Sequence, residues 1–333
     1  SGSAFTALSH NGCRLGFNLC VSAGDEMTTT VADYMDWSLQ QPDTRVIGLF
    51  LEAVRDPPAF VAALRKANQL DIPVVVLKIG KSTLAASMAV THTGAIAGNH
   101  AAFQALCRHH GVIEVDDFDE MAAILMLLQC QRQAASGGFA AVFESGGLRE
   151  LVTDTAVELG LEFAELESAT LQAIEQQLDP GLKAENPLDL WGSHNRFEAR
   201  IEACLSALMQ DPNVAACAFF SNFRDGYFLS EAIYRIVDKV GRECGKPLVL
   251  ANCYSDLANA ELCRRGYADG SAILDGTRPA LLAFKKLFGY RDFKLQLHHR
   301  AEHTGPVNPE MKRWTETLAA RAGDTLGESE ALA

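Results

Sequence analysis

The segment Thr91-His-Thr-Gly-Ala-Ile-Ala-Gly98 sets one imidazole among two glycines and three small residues. Without bulky side chains, the backbone N–H groups of such a loop can close on an anion. His92 in that setting can act as a base, a metal ligand or a nucleophile; otherwise it is polar loop surface. The loop follows the apolar run Pro73–Lys78, with Gly80–Val90 between them. If that run is a parallel strand, His92 lies beyond its carboxyl end, the edge at which open α/β sheets bind ligands.

Three further groups bear on the same chemistry. Glu144-Ser-Gly-Gly-Leu148 falls where a strand ends and a helix starts. Free N–H groups at a helix start carry roughly +0.5 of an elementary charge and favour phosphate or carboxylate; the alternative is an ordinary tight turn. Ser1-Gly2-Ser3 precedes a helical pattern, Ala4–Asn11, with similar small residues. Glu52 ends the run Arg45–Leu51. A carboxylate there could accept a hydrogen bond from the imidazole and fix its tautomer, or it could be a solvated strand-end acid.

Other patterns lead away from catalysis. Gly80-Lys81-Ser82 lacks the earlier glycine of a phosphate-binding P-loop, since Val75 stands there. His109-His110 and His298-His299 are adjacent pairs. Neighbours on a helix point apart, so no metal site is expected. The nine cysteines include no C-x-x-C pair, and several sit among apolar residues, as reduced structural thiols do. Asn186-Pro-Leu-Asp-Leu-Trp-Gly192 is a substrate-side or interdomain element, or a structural turn.

The elements that must position these residues alternate. Strands are expected at Gly16–Val21, Arg45–Leu51, Pro73–Lys78, Phe139–Phe143, Val214–Phe220 and Pro247–Ala251. Helices are expected at Thr28–Gln40, Pro57–Leu70, Asn99–His110, Asp117–Gln131, Leu148–Leu159, Phe197–Met209, Tyr227–Glu243, Asp256–Arg265 and Arg278–Phe288. This spacing makes an α/β protein with parallel sheets. The pattern restarts after Gln131–Gly138, giving two units, 1–135 and 136–290, and a charged, irregular linker at 291–333. Both ends look cut, as in a fragment of a longer chain.

The 333 residues carry a net charge of −13, which argues against binding nucleic acid or an anionic membrane. The most apolar run, Met121–Leu128, is far short of the about 20 residues of a membrane span. No signal peptide is visible, so the expected location is cytoplasmic.

Together these motifs resemble the NDP-forming acyl-CoA synthetases, relatives of succinyl-CoA synthetase. The resemblance rests on Thr91–Gly98, Asp43-Thr-Arg-Val-Ile47, Glu52, Pro73–Gly80, Glu144–Leu148, Asp154 and Asn186–Asp189, and extends over roughly residues 1–290. It implies two flavodoxin-like (succinyl-CoA synthetase-like) parallel-sheet domains, the first bearing a phosphohistidine loop. It implies that His92 carries phosphate between two sites while Glu52 holds the imidazole. Ser1, Gly2, Ser3, Thr93, Gly94, Gly146 and Gly147 would then bind the phosphate. Coenzyme A and ATP/ADP with Mg²⁺ would be substrates, on a CoA-binding domain before residue 1 and an ATP-grasp domain at or after residue 325. The implied partners are those two domains, on the same or another chain, a carboxylic acid and a second copy of the chain. Two alternatives stand beside this reading: a non-catalytic acyl-CoA or anion-sensing module of the same fold, and a Cys/His hydrolase using Cys107.

Overall fold

The computed structural model describes residues 2–85, 100–192, 196–302 and 313, with side chains left aside at 3–5 and 298–302. Residues 1–291 form one compact unit and residues 292–333 a second. The first contains two sheets, each with only parallel pairings.

The first sheet has three strands in the order β1 (Ile47–Leu51), β2 (Val74–Lys78), β3 (Ile113–Val115). β2 is buried at every position, which is why Val-Val-Val-Leu shows no alternation. Helices α2 (Val31–Ser38), α3 (Pro57–Gln69) and α4 (His100–His110) contribute to the core on one side of it, around Met35, Phe60 and Leu64. Helix α1 (Gly2–Ser9) comes before these. The entry to α3 is encoded locally: Asp56 accepts a hydrogen bond from the Ala59 amide at 2.9 Å, and Pro57 supplies the first helical residue. Gly111, at φ +67°, follows α4 in the left-handed conformation expected of that position.

The second sheet has five strands in the order β5-β4-β6-β7-β8. These are β4 (Gly138–Phe143), β5 (Leu188–Asp189), β6 (Val214–Ser221), β7 (Leu248–Asn252) and β8 (Ile273–Asp275). Its helices are α6 (Gly146–Leu159), α7 (Ser168–Glu175), α8 (Phe197–Gln210), α9 (Phe228–Cys244), α10 (Ala260–Asp269) and α11 (Thr277–Glu302). Helix α5 (Phe118–Gln129) touches both sheets, at β2 and at β8. That position explains Met121–Leu128, because a helix apolar all round must be covered all round. One core cluster therefore runs from Val75 and Leu77 through Ile124 to Phe139, Phe143 and Phe284. Fully burying each such phenylalanine contributes about 1.5–3 kcal/mol.

Several expectations need correction. Gly16–Val21 is not a strand. Phe17 and Val21 are exposed, Asn18 is held by a 2.8 Å bond from Nδ2 to Thr44 Oγ1, and β1 is left as the sheet edge. An apolar run becomes a strand only when a partner completes its ladder. The stretch after Phe288 does not turn irregular at once: α11 continues to Glu302. β3, β5, β8 and α7 were not foreseen. No helix among the described residues is long and apolar enough to cross a membrane.

Candidate functional site

His92, Thr93 and Gly94 lie in the stretch 86–99, outside the described residues, as does Ser1; of Ser3 the side chain is left aside. Gly2 opens α1. Among the described residues, two strand edges carry the remaining candidates.

At the first edge, Glu52 follows β1, and Leu51 pairs in register with Lys78 at the end of β2. Lys78 is buried. Its Nζ donates to the carbonyl oxygen of Glu52 at 2.7 Å and to that of Ile79 at 2.6 Å, and sits 5.9 Å from the centre of the Phe103 ring. Burial pulls its pKa below the usual lysine value, with the nearby Glu52 charge opposing. Lys78 thus ties the two strand ends from which the Glu52 turn and the histidine segment depart. The sequence signal for it was a lysine closing an otherwise apolar strand. Lys81, of the P-loop-like triplet, pairs with Asp116 at 2.6 Å.

At the second edge, β4 runs through Glu144 into Ser145, the N-cap of α6, which starts at Gly146-Gly147 as expected. Ser145 makes no side-chain capping bond. A Cβ on Gly146 would come within 3.2 Å of Asp189 Oδ2, so the small residue lets this turn lie close to the end of β5. Glu144 accepts a hydrogen bond on Oε1 from Ser221 Oγ, at the end of β6. Its Oε2 is buried with no partner among the described residues. Burial pushes the Glu144 carboxyl above its ordinary value, against the lowering effects of Ser221 and Arg224. The glycines drew attention to this turn; the half-buried glutamate at its start was missed as a group in its own right.

The motif Asn186–Gly192 divides its labour. Asn186 Nδ2 donates to the Phe139 and Ala164 carbonyls at 2.9 and 3.0 Å, and its Oδ1 accepts from the Ala141 amide at 3.1 Å. That half is structural. Trp191, in the other half, lines a cavity of about 420 Å³ with Glu144, Ser145, Asn222, Tyr227 and Phe228. The N-terminal segment is anchored near the far strands: Arg14 pairs with Asp275 at 2.6 Å and donates to Asn259 Oδ1 at 2.8 Å. A larger cavity of about 840 Å³ lies along β1 and the 16–26 segment, and Glu52 and Arg55 are on its lining.

The thiols do not support a hydrolase. All nine cysteines are free. Cys107 is buried in α4, and burial pushes its thiol up to about 12, so the reactive thiolate is scarce. Among the described residues no group of three metal-ligating side chains comes together.

Residues 1–128 match the family of the succinyl-CoA ligase like flavodoxin domain. The chain is 34% identical over 196 residues to a trans-feruloyl-CoA synthase from an unknown prokaryotic organism, covering 59% of this chain and 28% of that protein. It is 29% identical over 261 residues to the alpha subunit of ADP-forming acetate–CoA ligase II of Pyrococcus furiosus, covering 76% of this chain and 56% of the relative. The chain is thus similar to ADP-forming CoA ligases over part of their length. The Ca. Korarchaeum cryptofilum acetyl-coenzyme A synthetase 1, solved with phosphate and ADP, has the same fold: TM-score 0.75, 19% identity, over 89% of this chain and 65% of that one. The chain spans about a quarter to a half of the curated relatives it matches. The resemblance and the α/β fold with parallel sheets are borne out.

Proposed function

We propose that the chain is the central part of an NDP-forming acyl-CoA synthetase, which joins a carboxylic acid to coenzyme A as NTP becomes NDP and phosphate. In this reading His92 is the phosphohistidine. The observation that carries it is a single match, over residues 1–128, that takes in the Ser-Gly-Ser start of α1, Glu52 and the Thr91–Gly98 loop.

The chemistry follows from the parts. Phosphate displaces coenzyme A from acyl-CoA to give an acyl phosphate; attack of an imidazole nitrogen on its phosphorus breaks the acyl O–P bond, releases the carboxylic acid and leaves the phosphoryl group on His92. Transfer of that group to NDP regenerates the imidazole; the synthetic direction is the reverse. Dividing one transfer into two is nucleophilic catalysis. Glu52 orients the ring by accepting its N–H. The phosphoryl dianion is stabilised by the starts of α1 and α6, about 0.3–1 kcal/mol from each helix end when exposed and up to about 2 when partly buried. Backbone N–H bonds to a charged acceptor add about 1.5–3 kcal/mol each. Thr93 and Gly94 supply further N–H groups. One region carries the histidine and the other the α6 start, so neither suffices alone.

Coenzyme A and ATP/ADP with Mg²⁺ are substrates in this reading, held on CoA-binding and ATP-grasp domains of the same or a partner chain. The reaction belongs in the cytoplasm, where these substrates are. A second copy of the chain is a further expected partner, and the domains run 1–135 and 136–290, with 291–333 leading to the ATP-grasp part. The test is labelling of the full-length enzyme with γ-labelled ATP and Mg²⁺. Wild type takes up acid-labile, base-stable label, and His92→Ala takes up none; label that persists in His92→Ala rejects the reading. The sensing-module alternative predicts acyl-CoA binding with no label in either protein.

A further inference from the structure

The segment that follows α1 is tied to the five-stranded sheet by one side chain. Arg14 Nη2 pairs with Asp275 Oδ2 at 2.6 Å and donates to Asn259 Oδ1 at 2.8 Å, while Nη1 donates to the Ile273 carbonyl at 3.0 Å. The Arg14 carbonyl accepts from Nε2 of Gln129, the last residue of α5, at 2.5 Å. The two side chains of the ion pair are only 12% and 20% exposed. A pair so withdrawn from water is screened much less than a surface pair, and three acceptors fix the guanidinium plane. Between this anchor and α1 lies one tight turn, in which the Asn11 amide donates to the Leu8 carbonyl and the Arg14 and Leu15 amides donate to the Asn11 carbonyl. α1 itself is eight residues long.

From Asp275, the last residue of β8, contacts cross the carboxyl ends of the sheet. Asn252 ends β7 in register with Asp275 and donates from Nδ2 to its Oδ1 at 2.8 Å. Its own Oδ1 accepts from the Phe223 amide at 2.7 Å. Ser221 ends β6 in register with Asn252, and its carbonyl accepts from the Cys253 amide at 3.2 Å. Ser221 Oγ donates to Glu144, which follows β4 and precedes Ser145, the N-cap of α6. Asn252 and Ser221 are both buried. Hydrogen-bonded chains of buried polar groups stiffen the structure around them. This one runs from the segment behind α1 to the residue ahead of α6.

We infer that Arg14 is a positioning residue for phosphoryl transfer: through Asp275 it fixes α1 to the carboxyl edge from which α6 starts. The inference rests on the acyl-CoA synthetase reading, in which the starts of those two helices hold the phosphoryl group. Arg14 touches no reacting atom. It keeps one helix end aimed before the charge arrives, so that little reorganisation is needed when it does. The field of a helix end falls off within its first turn, so a small displacement of α1 loosens its hold on the phosphoryl group.

The test is the equilibrium labelling of the full-length enzyme with γ-labelled ATP, Mg²⁺ and a fixed excess of ADP, at a temperature at which each variant is folded by circular dichroism. The ratio of labelled to unlabelled enzyme measures how well the phosphorylated form is held, and His92→Ala sets the background. Arg14→Ala and Asp275→Asn are each expected to lower that ratio by about three- to tenfold. Arg14→Lys, which keeps a cation facing Asp275, is expected to restore most of it. Lys246→Ala is the control. It removes the donor to the Asp211 and Val214 carbonyls at the opposite edge of the same sheet, and is expected to lower the thermal midpoint and leave the ratio unchanged. A purely structural role for Arg14 would move the midpoint and not the ratio. A ratio unchanged by both Arg14→Ala and Asp275→Asn, or lowered as much by Lys246→Ala, overturns the inference and leaves the synthetase reading standing. Wild type that takes up no label on His92 overturns the reading and the inference with it.

Discussion

The two sheet edges each draw one ionisable group out of water, Lys78 fully and Glu144 in part, and they treat it in opposite ways. Lys78 ends β2 with its ammonium on two carbonyl oxygens and a phenylalanine ring nearby. Glu144 follows β4 with one oxygen bonded to Ser221 and the other bonded to nothing among the described residues. Burial drives both toward neutrality, lysine downward and glutamate upward. A satisfied buried charge holds two strand ends in place. A half-satisfied one has a cost, and such groups belong where a ligand or a proton completes them. In the proposed reading the first edge carries the chain toward His92, and the second carries the start of α6.

Substitution at these edges sharpens that contrast. Lys78→Ala removes a buried side chain and the donor to two carbonyls, so an unfolding free energy lower by about 2–4 kcal/mol is expected in a denaturant titration. A loss below about 0.5 kcal/mol would contradict the mounting role. Glu144→Gln is expected to shift stability by no more than about 1 kcal/mol at neutral pH, because one hydrogen bond to Ser221 can be kept. Its clearer signature is in pH dependence. A carboxyl raised in the folded state binds more protons there than in the unfolded chain. Its contribution is fully present below the ordinary value of 4.5 and is lost as pH rises through the folded value. Urea midpoints measured across that range should fall with rising pH in wild type and fall less in Glu144→Gln; identical slopes would remove Glu144 from the account. The smallest effect is expected at Lys81→Ala. Its partner Asp116 is largely exposed, so at most about 0.5 kcal/mol is expected from the same titration.

The sequence was most legible where an element is long and its neighbours decide little. β2, with four consecutive apolar residues, and α3, with its Asp-Pro start, could be read within a residue or two. The α6 turn was placed by its glycines. β3 and β8 have three residues each and β5 two, too few to show a period; they are strands because parallel neighbours are already in place. Gly16–Val21 shows the converse, a strand-like composition with no partner. At the candidate site, the histidine, the glycines and Glu52 stood out because their types and spacing suggest chemistry. Lys78 and Glu144 did not, because what makes them notable is burial and partners, which a linear chain does not display. The lining of the smaller cavity likewise draws on Trp191 after β5 and Tyr227-Phe228 at the start of α9, far apart in sequence.

The central claim, that one imidazole carries the phosphoryl group, is tested most directly by locating it. The full-length enzyme is treated with ATP and Mg²⁺, digested with trypsin at alkaline pH, and the peptide 82–108 sequenced by tandem mass spectrometry; it holds both His92 and His100. The account predicts phosphate on His92 alone, discharged when ADP is added. Phosphate on His100, on Ser145, or on no residue of residues 1–291 would contradict it.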